Sequence, residues 1–147
     1  MGERRVDIAE LKKKWAGWTF DEVRFEIEAE PLAEFSLACG ETLPRYTDPQ
    51  DPNFQAAPSF AARFHGDRAL PEGFPSDREA SFDGGKAVDW KAPIRPGDTL
   101  IARSHIHDIF EKTGRSGGMM FIVHRMEFSN QNDEIVSIVD WKMIRKL

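Results

Sequence analysis

The sequence has a single cysteine, Cys39, a single tyrosine, Tyr46, and no apolar run of membrane-spanning length. One thiol excludes an intramolecular disulfide and any cysteine-rich zinc site. A membrane helix needs ~20 consecutive apolar residues, and no stretch approaches that length. The opening MGERRVDIAELKKKW lacks the apolar core of a signal peptide, so a cytoplasmic setting is expected. An excess of positive charge is also missing. The 20 Lys and Arg residues stand against 25 Asp and Glu, a formal net charge of −5. A general nucleic-acid binder needs basic surface to displace counterions from phosphates, so none is expected here. A local basic cluster can still attract a small anion.

What is present is ordinary globular composition, 40% apolar and 31% charged over 147 residues. That length predicts one domain, 1–147, burying roughly 70% of the surface its unfolded chain exposes. Glu10 to Trp15 is helix-forming and Gly17 would close it. Phe20, Val23, Phe25 and Ile27 predict a strand within 18–27. Pro31 fits a helix start, followed by Leu32, Ala33, Phe35, Leu37 and Ala38, with Gly40 as the stop. Residues 41–57 carry three prolines and read as an extended loop. Ala57, Phe60, Ala61 and Phe64 lie at i, i+3, i+4 and i+7, which predicts a helix of about three turns over 58–70. Residues 71–87 are turn-rich again. Three strands follow, 99–110, 119–128 and 134–144, joined by short turns at 114–118 and 129–133. Consecutive long strands with short connections make an antiparallel meander. The expected class is α+β, with a helix packed on one face of an antiparallel sheet.

The histidines offer a decoy. His105 and His107 project from one strand face, and Glu111 lies four residues on, a spacing similar to the metal motif of cupins. Gly97 is too far upstream for that motif, and its second half is missing downstream. The pair therefore reads as an outer strand face shared with Arg103, and no metal is expected. His124, among apolar residues, and His65, on the expected middle helix, read as hydrogen-bonded packing residues. Ser59, Ser104 and Ser116 lack the glycine elbow of a serine hydrolase. GRSGG at 114–118 joins two strands and lacks both a Walker lysine–serine ending and a following helix, so it reads as a turn.

Several motifs in order carry a family resemblance. Trp90 precedes Pro93, and R-P-G-D follows at 95–98. After a strand come Glu111–Lys112, G-R-S-G-G at 114–118 and a long apolar strand running into an Asn-containing turn. Upstream, FSLACGETLPRYTD (35–48) stands where an alanine-rich helix and G-D-x-N-P-x-H would be. AAPSF (56–60) resembles the A-P-P-T-F that opens a central helix. Over about 100 residues the chain resembles the MaoC-like dehydratases, most closely their N-terminal-type domain. The resemblance implies a hotdog fold, a curved antiparallel sheet wrapped around one helix. It also implies hydration of trans-2-enoyl thioesters, or the reverse dehydration, by an aspartate and a histidine, with backbone N–H groups binding the thioester oxygen. No cofactor is implied beyond the coenzyme A thioester that is the substrate.

In this sequence the aspartate position is Glu41, the asparagine position Leu43 and the histidine position Tyr46. A phenol with a reference pKa near ~10 is not a base at neutral pH. Glu41 is one methylene longer than aspartate, and a misplacement of about 1 Å can cost roughly a hundredfold in rate. The pair is degenerate. The resemblance then implies a subunit that supplies interface and part of the acyl or coenzyme A tunnel, beside a second MaoC-like hotdog subunit that keeps the Asp/His pair. Ser59 and Phe60 would offer backbone donors at the helix start, and Lys112 and Arg115 would meet a coenzyme A phosphate. The alternatives are a self-sufficient homo-oligomeric hydratase or thioesterase using Glu41, a non-catalytic acyl-CoA-binding module, and the cupin-type metalloprotein.

Overall fold

The computed structural model describes residues 5–75, 81–115 and 117–147. Ser116 of the glycine-rich turn lies outside them. The chain runs α1 (Ile8–Trp15), β1 (Thr19–Glu26), α2 (Ala29–Ala38), a single turn α3 (Pro44–Thr47), a 3₁₀ turn (Phe60–Arg63), then β2 (Ser81–Trp90), β3 (Thr99–Gly114), β4 (Gly117–Ser129) and β5 (Ile135–Lys146). Asp7 caps α1 by accepting the Glu10 N–H at 3.1 Å, and Lys12 to Lys14 sit in its last turn, where cations favour the carbonyl end. Gly17, at φ 88°, releases the chain into β1.

The strands form one antiparallel sheet in the order β1-β3-β4-β5-β2. Alternation along β4 sets its two faces. Met120, Ile122, His124, Met126 and Phe128 are at most 1% exposed and define the inner face. Register shifts at Thr19/Asp21, Asp83/Lys86 and Ile106/Asp108 are bulges, which bend a sheet. At one end of the inner face α2 buries Leu32 and Ala33 among Phe60, Leu100, Ala102, Met126, Phe128 and Val139. At the other end Ile106, Ile109, Met120, Ile122 and Met143 pack against Leu11 and Trp15 of α1. The expected α+β antiparallel architecture is the one found.

Two local expectations are corrected. The helix expected over 58–70 is a 3₁₀ turn of four residues, after which Phe64 adopts an extended conformation (φ −80°, ψ 140°). The apolar spacing that suggests a helix is satisfied by that turn plus a separate Phe64 contact, its ring 4.1 Å from Phe25. From 64 to 75 the chain is a strap over the inner face, pinned by polar contacts. The Asp67 N–H donates to Asp21 Oδ2 at 2.7 Å, and the Asp67 carbonyl lies 3.1 Å from His124 Nε2. Gly66 passes so close that a Cβ there would stand 2.9 Å from the Asp21 carboxylate.

The second correction is β2, which begins inside the stretch expected to be turns. The Asp-Gly-Gly at 83–85 is a bulge within a strand: Gly85 has φ 85°, and a Cβ on Gly84 would meet Lys142 Cβ at 2.9 Å. Just beyond it, Lys86 Nζ donates to the carbonyls of Ala62 (2.7 Å) and Phe64 (3.1 Å), tying β2 to the 3₁₀ turn.

Phe60, 2% exposed, is a core residue in contact with the rings of Phe35 and Phe64. Phe60→Ala should cost about 3–5 kcal/mol, read as a lower urea midpoint at unchanged m-value.

Candidate functional site

The loop after α2 carries the degenerate pair. Gly40, at φ 79°, ends the helix, and the Glu41 N–H donates to the Ser36 carbonyl at 3.0 Å, fixing Glu41 just past the last turn. Pro44 opens α3, which holds Tyr46 half-buried with the Arg45 guanidinium 4.9 Å above its ring. Two backbone bonds seat this loop: Gln55 N–H to the Arg45 carbonyl (2.8 Å) and Ala56 N–H to the Ile94 carbonyl (2.8 Å). Beside them a cleft of about 330 Å³ is lined by Leu43, Pro44, Arg45, Asp51, Asn53 and Gln55. Leu37 and Leu43, before and after Glu41 in the sequence, are 61% and 46% exposed. The loop presents a carboxylate that can accept a proton and a phenol that can donate one. The four histidines of the chain, at 65, 105, 107 and 124, all lie on other segments.

The remaining candidates lie elsewhere. Ser59 is exposed, and the Phe60 N–H is spent on the Ala57 carbonyl at 2.9 Å. A four-residue 3₁₀ turn has no aligned run of peptide dipoles to present to an anion. Lys112 is on β3, its Nζ 5.7 Å and 5.4 Å from the ring centroids of Phe110 and Phe121, and Arg115 is in the turn that follows. Lys112 is thirteen residues along β3 from Thr99, roughly 40 Å by strand rise, whereas the loop that begins at Glu41 is tied through Ala56 to Ile94, five residues before β3 begins. Within one chain these basic residues do not meet the Glu41 loop.

Two polar clusters on the inner face were not anticipated. In the first, the Ser104 hydroxyl donates to Asp21, Asp21 accepts the strap N–H of Asp67, and His124 holds the Asp67 carbonyl. His124 is fully buried against Phe20, and its Nδ1 has no hydrogen-bond partner among the described residues. Burial holds its pKa below the ordinary histidine value, with Arg68 adding to the effect, against the Asp67 bond and Asp21. In the second, Trp141 donates its indole N–H to Asp83 at 2.7 Å, while Arg68 and Lys86 lie 3.3 Å and 4.1 Å from its ring centroid. Burial, then the neighbouring Arg68, lowers the Lys86 pKa. The sequence signal for the first cluster was a polar residue where alternation demands an apolar one: Ser104 between Ala102 and Ile106, and His124 between Ile122 and Met126.

His105 and His107 stand side by side, ring centroids 5.9 Å apart. Among the described residues no three His, Cys, Asp or Glu side chains converge as a metal site would require. No helix among them is long and apolar enough to cross a membrane.

An antiparallel sheet whose inner face is packed by α2 and the strap is a hotdog. The sequence profile of the FAS1-like dehydratase domain region matches residues 14–139, and the chain belongs to that family, which is one of MaoC-like hotdog dehydratases. No curated protein matches the sequence. Among solved structures, the MaoC-like dehydratase from Rhodospirillum rubrum is 20% identical, with a TM-score of 0.61 over 90% of this chain and 94% of that one. The HadBC (3R-hydroxyacyl-ACP dehydratase) complex from Mycobacterium tuberculosis is 18% identical, with a TM-score of 0.63 over 95% and 98%. The ChsH1–ChsH2 complex from the same organism is 13% identical, with a TM-score of 0.66 over 94% and 88%.

The His124 environment sets a pH dependence. A base whose folded pKa lies below its unfolded value of ~6.5 takes up its proton more readily in the unfolded chain, so stability falls as pH drops through 6.5 toward the folded pKa. His65 and His105, also lowered, contribute with the same sign. Urea midpoints should decrease between about pH 7 and 5. His124→Asn should flatten that slope while lowering stability at pH 7.

Proposed function

We propose that this chain is a subunit of an (R)-specific enoyl-thioester hydratase/dehydratase, in which a second hotdog chain carries the Asp/His pair. This chain would supply interface and part of the acyl-thioester tunnel. The observation that carries the reading is the residue set at the site, Glu41, Leu43 and Tyr46, held on a loop that contains no histidine. Hydration of the enoyl thioester requires a base to take a proton from water as its oxygen bonds to C3, and a proton to be delivered to C2. Removing general acid–base catalysis costs about 10²–10⁴ in rate, so a phenol in place of the imidazole and a longer side chain in place of the aspartate would leave the chain alone a poor catalyst.

Three features support assembly. Leu37 and Leu43 flank the site and are exposed in the isolated chain. The outermost strand β2 carries Trp90, 43% exposed, and a sheet edge presents unpaired main-chain groups that another hotdog can cover. Among the similar structures, HadBC and ChsH1–ChsH2 are both named as complexes. The acyl carrier is a coenzyme A or acyl-carrier thioester, and no further cofactor is required.

The decisive experiment is isolation from the native host with every co-purifying chain identified, followed by hydration assays on a trans-2-enoyl-CoA. A second hotdog bearing D-x-N-P-x-H should co-purify, and the complex should exceed this chain alone by about a hundredfold or more. Leu43→Asp should release the partner without changing the thermal midpoint of the isolated chain. Recovery as an active homo-oligomer that Glu41→Gln abolishes would replace this reading with a lone-carboxylate hydratase or thioesterase. Binding of acyl-CoA without turnover in any assembly would replace it with a binding module.

A further inference from the structure

The outer face of the sheet, opposite the core, carries an apolar row that packing within the chain does not require. Phe82 pairs with Ile144, Ile144 with Phe121, and Phe121 with Phe110, so four side chains line up across β2, β5, β4 and β3. They stand on the face away from Ile109, Ile122 and Met143, which are buried beneath them. Phe110 and Phe121 are stacked, with centroids 5.0 Å apart and ring planes 7° from parallel. Phe82, at the sheet edge, is 57% exposed. Phe110, Phe121 and Ile144 are half-buried, and an apolar row aligned across four strands and open at its Phe82 end is a feature that binding surfaces use.

Cations flank the row on both sides. Lys146 and Lys112 lie one register step beyond it, both paired with Met119, and Lys142 lies one step before it, opposite Val123. Arg115 follows in the adjoining turn. Among the described residues none of these four forms a salt bridge. The nearest carboxylate on this face, Asp108, is already bridged to Lys12 of α1 at 2.9 Å. A chain of net charge −5 therefore bears a locally positive strip with an apolar centre.

We propose that this strip is a docking surface for an acidic amphipathic helix of a protein partner. Three interstrand gaps make the row about 14 Å long, the length of a helix of roughly ten residues. An apolar stripe at i, i+3, i+4 and i+7 would lie along Phe82, Ile144, Phe121 and Phe110, with carboxylates on both sides reaching the lysines. An anionic bilayer fits less well. Further along the same face, Asp140, Glu127, Asp89 and Glu22 outnumber Arg125 and Arg103, and a plane wide enough to cover the sheet would press those carboxylates onto headgroups. A helix about 10 Å wide avoids them.

The test titrates the full-length chain with a synthetic peptide of about fourteen residues, with Leu at the four stripe positions and Glu on the flanks, followed by amide NMR. The controls are a scrambled peptide of the same composition and vesicles of phosphatidylglycerol and phosphatidylcholine in roughly equal parts. The amphipathic peptide should bind, shift amides of β3, β4 and β5 around the row, and lose about tenfold in affinity on Lys112→Glu with Lys146→Glu, at unchanged thermal midpoint. Phe82→Ser, which removes an exposed ring, should weaken binding comparably. No binding at millimolar peptide, equal binding of the scrambled peptide, shifts confined to other surfaces, or insensitivity to both variants would each overturn the proposal. So would tighter binding to the vesicles than to the peptide.

Discussion

A chain of phenylalanine rings holds the cover onto the sheet. Phe128 on β4 lies 5.7 Å from Phe64 on the strap, and Phe64 lies 4.1 Å from Phe25 on β1 and 5.4 Å from Phe60 in the 3₁₀ turn. Phe60 in turn meets Phe35 on α2 at 5.4 Å. Five rings thus join two strands, the strap, the turn and α2. Aromatic pairs add about 0.5–1.5 kcal/mol each beyond the area they bury, and here they stand where a longer helix would have packed a continuous ridge. A short 3₁₀ turn suffices because its neighbours supply the contacts that its own backbone cannot.

Much of the fold was legible in the sequence because its signals were local. The glycine stops of α1 and α2, the alternation of β4 and the short turns between β3, β4 and β5 all depend on neighbouring residues. The two errors arise where distant contacts decide. Ala57, Phe60, Ala61 and Phe64 have helical spacing, yet Gly66 must pass against Asp21 and Lys86 must reach the carbonyls of Ala62 and Phe64, and neither demand is visible along the chain. Asp83-Gly84-Gly85 reads as a turn until Lys142 is known to lie beneath Gly84. The site divides in the same way. The Glu41 loop follows from a helix stop and a proline, whereas the grouping of Asp21, Ser104 and His124 is a property of register.

The distribution of polar groups separates three regions with different tasks. Beneath the strap, Asp21 and His124 bond the Asp67 backbone and fix the cover. After α2, the Glu41 loop carries a carboxylate and a phenol together with the exposed Leu43. On the outer face, lysines frame an aromatic row. The first region lies in the interior, while the other two face outward.

The Lys86 tie has a consequence for motion. The strap is pinned largely through side chains rather than by a ladder of main-chain bonds: Asp67 to Asp21 and Asp67 to His124. Such a segment can lift as its own cooperative unit while the sheet stays intact, and its amides would then exchange with solvent by a sub-global opening. Lys86 sits on the outermost strand and holds the carbonyls of Ala62, just before that segment, and of Phe64, its first residue. Any chain that stiffens β2 by pairing along its free side would therefore raise the opening free energy of the strap, linking the occupancy of a sheet edge to the protection of amides on the opposite side of the lysine.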